Sequence, residues 1–199
     1  MTVIPIKNPL DPRVKRTRKL LFDAFDSLLG EKGFEAITVQ DIAERATVNR
    51  ATFYAHYQDK YHLVESRTRE LFQERLASRL PASSTLSAGT VETLSQTVFD
   101  FLADVYGHCK MDRQLGSLLE IAMHETLNSF IADLLGQAAT SAQAKRRVNT
   151  IALVMTSAII GVAVQWNRTG RRQPSGELSR QVVGTLTQGV FEALPAPAA

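Results

Sequence analysis

The residues best suited to chemistry lie together in Asn49-Arg50-Ala51-Thr52-Phe53-Tyr54-Ala55-His56, and the chemistry they offer is recognition of a nucleic acid rather than bond breaking. An arginine guanidinium can take guanine in bidentate fashion, a threonine hydroxyl can meet a base or a phosphate, and an alanine methyl can pack on thymine. Arg50, Ala51 and Thr52 present these three groups at consecutive positions. Tyr54, His56 and Lys60 follow at spacings that leave them beside a sugar-phosphate backbone. Lys60 also falls in the first turn of a helix that Asp59 would cap, where helix-terminal amides attract phosphate. Two packed helices of an ordinary all-α domain would have no need of so many polar side chains on the outward side of one short segment.

Catalytic and metal-binding patterns find little support. His56, His62, His108 and His124 form no HExxH, no paired Cys/His spacing and no acidic cluster suited to a hydrolytic metal site. His124 and Glu125 are the nearest thing to an acid-base pair, but neighbours on a helix point about 100° apart. There is no GxSxG and no phosphate-cradling glycine loop. The expectation is a protein that is not an enzyme and holds neither a metal nor a cofactor.

The elements that must position the recognition residues are two short helices. Thr38 can cap the first, with Asp41 three residues on completing a capping box, and Val39, Ile42, Ala43 and Ala46 fall on one face. Ala46-Thr47-Val48 forms the turn, and Asn49 caps a second helix from Arg50 to about Tyr57 with Phe53 directed inward. This is a helix-turn-helix over about residues 38–57. Such a unit lays its second helix in the major groove with the N-terminal residues at base edges. Candidate DNA contacts are therefore Thr38, Asn49, Arg50, Ala51, Thr52, Tyr54, His56 and Lys60.

Ahead of the motif, a helix from about Pro12 to Lys32 carries Leu20, Leu21, Ala24, Phe25, Leu28 and Leu29 at helical spacing and stops at Gly33. Phe34 and Ile37 fill the space behind it, which predicts a three-helix core. Residues 1–13 read as a flexible arm with a basic flank. Arg13, Lys15, Arg16, Arg18 and Lys19 fit either a solvated charge cluster or a segment touching phosphate or the minor groove.

The combination of Glu31-Lys32-Gly33-Phe34, Thr38-Val39, Ile42-Ala43, Asn49-Arg50-Ala51-Thr52-Phe53-Tyr54, His56-Tyr57 and Asp59-Lys60 resembles the tetracycline-repressor (TetR) family of transcriptional regulators. The resemblance covers residues about 14–74. It implies an all-α homodimer: an N-terminal three-helix helix-turn-helix DNA-binding domain over 14–74, then a larger helical domain over 75–199 that binds a small molecule and dimerises. One position departs from the family pattern. The turn residue that is usually glycine is Thr47, and a β-branched residue in a left-handed turn is strained, so either the turn differs or the strain is tolerated.

Composition agrees with a soluble globular chain. The 199 residues are 44% hydrophobic and 22% charged, with a formal net charge of +3. Residues 1–80 hold 14 Lys and Arg against 11 Asp and Glu, and the remainder holds 9 against 9, so the whole excess sits with the motif. That is the sign phosphate contacts require. A single cysteine, Cys109, excludes an internal disulfide and fits a reducing cytoplasm. No signal peptide is visible, and the apolar run Ile151 to Trp166, broken by Thr156, Ser157 and Gln165, falls short of a membrane span and reads as a buried helix.

The larger domain is expected to contain a connecting helix from Asp59 to Leu80, a helix from Thr90 to about His108, two segments around Leu115–Ala122 and Leu127–Leu135, an apolar helix from Lys145 to about Arg168, and a last helix from Gly176 to Leu194. Ligand pockets are mostly apolar with a few placed polar groups. Phe101, Tyr106, His108, Met123, His124, Met155 and Trp166 are the candidates, with Cys109 beside them, and they suit an apolar or aromatic effector. Leu178, Val182, Leu186, Val190 and Leu194 recur four apart on the last helix. With Ile159 and Val162 of the preceding one, Val182, Leu186 and Val190 are candidates for a two-subunit four-helix seam, although the same stripe could pack within its own subunit. The expected partners are thus double-stranded DNA with a near-palindromic operator, a small-molecule effector and a second copy of the chain, with no membrane. Repression released by the effector leads the functional reading; activation by the same architecture, or a helical interaction module without DNA binding, are its alternatives.

Overall fold

The computed structural model describes residues 11–81, 83–108, 113–136 and 141–190. Every regular element among them is a helix: α1 Pro12–Lys32, α2 Val39–Arg45, α3 Arg50–Tyr54, α4 Lys60–Arg79, α5 Ala88–His108, α6 Arg113–Gly136, α7 Ala142–Arg168 and α8 Ser175–Val190. They fall into two compact units, Met1–Thr68 with His108–Leu119, and Arg69–Gly107 with Glu120–Ala199. The division lies inside α4 at Thr68, six residues before the expected boundary, and 108–119 joins the first unit. No linker marks the division, because α4 and α6 each belong to both units, and helical periodicity runs on uninterrupted through such a point.

In the first unit, α1 opens on Asp11, whose carboxylate accepts from the Arg13 amide at 2.8 Å, with Pro12 in the first turn where its missing N–H costs nothing. It ends at Gly33, whose φ of 72° is open to glycine and costly to other residues. Leu21, Phe25, Phe34, Ile37, Ile42, Phe53 and Leu63 are buried together with Tyr57, so α1 and α4 enclose the inner faces of α2 and α3. The basic cluster Arg13 to Lys19 lies on α1 itself rather than on an arm ahead of it. Arg18 turns back to donate to the Tyr57 hydroxyl at 2.9 Å.

The second unit packs Phe72, Leu94, Leu102, Leu127, Ala152 and Ile159, with their neighbours, into one apolar core. Arg75 and Arg79 of α4 pair with Asp104 and Asp100 of α5 at 2.9 and 2.8 Å. The two short segments expected between Asp112 and Leu135 are one helix, α6: no proline interrupts Arg113–Gly136, and the isolated Gly116 and Asn128 do not stop it. By length and composition α7 could cross a membrane, with mean hydropathy 1.8 over its most apolar stretch, but Val148, Ala152, Met155, Ile159 and Ala163 are buried inside the unit. One face of α7 thus lies in this core, while Leu153 and Val154 on another are 51% exposed.

Candidate nucleic-acid interface

The interface is built from caps outward. The Thr38 hydroxyl accepts from the Asp41 amide at 3.1 Å while the Asp41 carboxylate accepts from the Thr38 amide at 2.7 Å and its hydroxyl at 2.6 Å, which completes the capping box. Lys32 adds an ion pair to Asp41 at 2.8 Å. That ammonium, with the Thr38 hydroxyl and amide, holds the Asp41 carboxyl well below its ordinary value of 3.8. At the other end of α2, Arg45 forks onto both carboxylate oxygens of Glu31 at 2.6 and 2.8 Å and reaches Ser27 at 2.6 Å, tying α2 to α1.

The turn between the two helices is tight. Val48 donates to Ala43 at 3.0 Å and Thr47 to Glu44 at 3.0 Å, while Thr47 takes a φ of 56°. Left-handed backbone is thus adopted by a β-branched residue, and the expected departure is a tolerated strain rather than a different turn. Asn49 then caps α3 by accepting from the Ala51 amide at 2.8 Å. The helix ends at Tyr54 rather than at about Tyr57, with the Ala55 amide closing onto Ala51 and Phe53.

This geometry leaves Asn49, Arg50, Ala51 and Tyr54 exposed, with Thr52 and His56 half-buried and Phe53 fully inside. One face of α3 therefore presents a guanidinium, a methyl group and a phenol. Arg50 lies over the Tyr54 ring and donates to its hydroxyl. Thr38 and Asn49 are exposed too, and their side-chain oxygens are engaged as caps.

Lys60 is placed differently from the expectation. Its ammonium does not stand out beside α4 but donates to the carbonyls of Phe34, Glu35 and Ile37 at 3.0, 3.1 and 2.8 Å, over the Phe34 ring at 4.6 Å. In this conformation its charge is spent within the unit. Sequence spacing located the residue on the first turn of α4 but carried no sign of the loop carbonyls that surround it. Asp59 does cap α4, accepting from the His62 amide at 2.8 Å.

Of the residues expected to line an effector pocket, Phe101, Met123 and Met155 are brought together in the core of the second unit, at 4%, 0% and 1% exposure. Tyr106 and Trp166 pack against that core. The Tyr106 hydroxyl faces Glu120 at 3.5 Å, and burial, then the Glu120 charge, pushes it up. Trp166 meets Phe99 edge to face at 5.2 Å and donates to the Gln173 carbonyl at 2.7 Å. His124 pairs with Ser157 at 3.1 Å. His108 and Val190 close α5 and α8, and their side chains, like Cys109, lie outside the described residues. The sequence did not single out Ser95 and Thr156, each 0% exposed, whose hydroxyls have no hydrogen-bond partner, nor the equally unpartnered Oδ1 of Asn128. Only burial reveals them. Among the described residues no group of His, Cys, Asp and Glu side chains is placed to hold a metal ion.

Three of the residues expected at a dimer seam are already covered within the chain. Ile159, Val182 and Leu186 are 0%, 7% and 8% exposed within the single chain, so they have almost no surface left to give a partner. Val182 and Leu186 pack inside their own unit, because α7 and α8 turn them and Ile159 toward the same core. What the two helices leave outside is Leu153 and Val154, each 51% exposed, half-buried Val162, and Gly161 and Gly184, where an added Cβ would meet no atom within 4 Å. Gly161, Val162, Trp166 and Leu178 also line an open groove of about 590 Å³ on this side.

Residues 21–67 match the family model described as bacterial regulatory proteins, tetR family. The chain is 39% identical over 77 residues to the uncharacterized HTH-type transcriptional regulator YdeS of Bacillus subtilis, covering 39% of this chain and 37% of YdeS. It spans less than half the length of the curated relatives it matches first, from 15% to 47%. Among solved structures it is similar to a TetR-family regulator from Streptomyces coelicolor, at TM-score 0.62 and 19% identity over 92% of this chain and 98% of that one. It is also similar to the TetR family repressor AlkX of Dietzia, implicated in biodegradation of n-alkanes, at TM-score 0.55 and 18% identity over 91% and 99% of the two chains.

Proposed function

We propose that the chain, whose residues 21–67 match the tetR family of bacterial regulatory proteins, is a homodimeric transcriptional repressor, released from a near-palindromic operator by a small apolar or aromatic effector. The observation that carries DNA binding is α3: five residues capped by Asn49, held from behind by Phe53, with Arg50, Ala51 and Tyr54 exposed on one face. A helix this short buries only Phe53, and the rest of what it offers is its outward face. Its N-terminal residues are those a helix-turn-helix brings to base edges.

The dimer uses the outer face of α7 and α8 around Leu153, Val154, Val162, Gly161 and Gly184. Exposed aliphatic side chains beside two glycines suit close packing against a symmetry mate, and a two-fold partner gives two reading helices for the two halves of an operator. The second unit receives the effector. An apolar interior containing the unpartnered hydroxyls of Ser95 and Thr156 supports a mostly apolar molecule with one or two polar atoms, since a buried orphan hydroxyl costs about 1–3 kcal/mol that a ligand could recover. Such a regulator works in the cytoplasm, where its DNA is.

A mobility shift on DNA recovered from a random-sequence pool tests the reading. Affinity for the recovered duplex should fall steeply with salt, by roughly 0.9 in the log–log slope per phosphate neutralised. Binding that is absent, or equal on every sequence, defeats it.

A further inference from the structure

Buried threonines of the second unit close onto the backbone, with one exception. Thr97 donates to the Thr93 carbonyl at 2.6 Å and Thr126 to the Ala122 carbonyl at 2.8 Å, each one turn back along its own helix. Thr156 of α7 is 0% exposed, and its hydroxyl has no hydrogen-bond partner. On α6 the Oδ1 atom of Asn128 is buried and unpartnered as well. The two lie on one stretch of the α6–α7 seam, because His124, one turn before Asn128, meets Ser157, the residue after Thr156, at 3.1 Å. Leu127 and Met155, their chain neighbours, belong to the apolar core, and among the described residues no charged side chain is buried. Buried polar atoms left without partners cost stability that a bound molecule can recover.

Resting on the reading that the second unit takes an effector, we infer that Asn128 and Thr156 form its polar subsite and that the effector is a neutral molecule carrying a hydroxyl group on an apolar body. The Asn128 Oδ1 atom can only accept, so it requires a donor; the Thr156 hydroxyl can donate in turn. One hydroxyl group serves both, giving its proton to Asn128 and taking one from Thr156. A hydrocarbon would leave both atoms as they are. A carboxylate would set a further acceptor against Asn128 and bury a negative charge with no cation in the core to meet it. An ammonium would reach Asn128 but offer Thr156 no acceptor, and its charge would be equally uncompensated. His124, the titratable group of this stretch, is already engaged with Ser157.

The test uses the full chain and four probes of matched length, 1-octanol, its isomer 1-methoxyheptane, octanoate and octylamine, with binding followed by calorimetry. The alcohol and the ether contain the same atoms, and only the alcohol can donate. Octanol should bind the wild-type protein about tenfold or more tighter than the ether and than either ion. In Asn128→Leu and in Thr156→Val, with folding checked by circular dichroism, its advantage over the ether should shrink to about twofold or less. The inference is overturned if the ether binds as tightly as the alcohol, which would leave the two atoms to buried water. Tighter binding of octanoate or octylamine overturns it too, as does a variant that keeps the full advantage of the alcohol. If Asn128→Leu does not fold, Thr156→Val decides by the same readings. Failure of the underlying reading looks different: binding of none of the four removes the effector site altogether, whereas equal binding of all four with release of the recovered duplex keeps the effector and removes only its hydroxyl.

Discussion

The Arg50 guanidinium lies 5.4 Å from the centroid of the Tyr54 ring and donates to its hydroxyl at 3.1 Å, one turn along α3. An exposed arginine normally samples many rotamers, and holding it against an i+4 aromatic removes part of that freedom before DNA arrives. Arg50→Ala is expected to weaken binding by about 1–3 kcal/mol per half-site and to relax the preference at one base position. Tyr54→Phe keeps the ring and loses the hydrogen bond, so its cost should be smaller, about 0.5–1.5 kcal/mol. Selection of bound DNA by each variant checks both, and an unchanged motif for Arg50→Ala would make Arg50 a backbone contact.

Thr47 carries the strain of the turn, at φ 56°. Thr47→Gly should raise the stability of the first unit by about 1 kcal/mol, the left-handed penalty of a β-branched residue less the extra chain entropy of glycine. The urea midpoint measures it. A lower midpoint would mean that the threonine side chain stabilises this turn by more than its backbone costs.

Asp41 predicts an acid limb. Its folded-state carboxyl is held below 3.8 by Lys32 and Thr38, so its contribution to stability is complete above that value and is lost as pH falls through the lower folded-state value. Melting temperatures taken from neutral pH downward should begin to fall near pH 4. The fall should be shallower in Asp41→Asn, at the cost of a weaker cap at every pH; identical profiles would remove Asp41 from the account.

The two faces of α7 and α8 make opposite predictions. Leu153→Glu, at a residue 51% exposed, should give a folded chain of half the mass in light scattering, because a carboxylate would be buried only on association. Leu186→Glu, at 8% exposure, should unfold the second unit instead. A dimer of undiminished mass for Leu153→Glu would move the seam elsewhere.

Thr156→Val replaces an unpartnered buried hydroxyl by a methyl group of nearly equal shape. Without effector it should be neutral or more stable, by up to about 1–3 kcal/mol, since no hydrogen bond is broken and a buried orphan is removed. If the hydroxyl serves an effector, release from DNA should need more of it. A loss of stability on thermal melting would show that Thr156 is bonded in solution.

Local order was legible from the residues alone where local chemistry decides it. The capping box at Thr38 and Asp41, the Asn49 cap, the stop at Gly33 and the all-helical periodicity depend on atoms a few positions apart, and the structure has each of them. So was the exposure of Arg50, Ala51 and Tyr54 on α3, whereas Thr52, expected beside them, is half-buried. What the tertiary structure alone decided concerns partners far apart in sequence. Lys60 meets carbonyls 23 to 26 residues away. Arg45 meets Glu31, and Arg18 meets Tyr57. The four-apart stripe on α8 is the same pattern whether it faces its own core or a partner, and only packing turned Val182 and Leu186 inward and left Leu153 and Val154 outside. Periodicity states that a helix has an apolar face; which surface covers that face is set by the direction in which the other helices arrive.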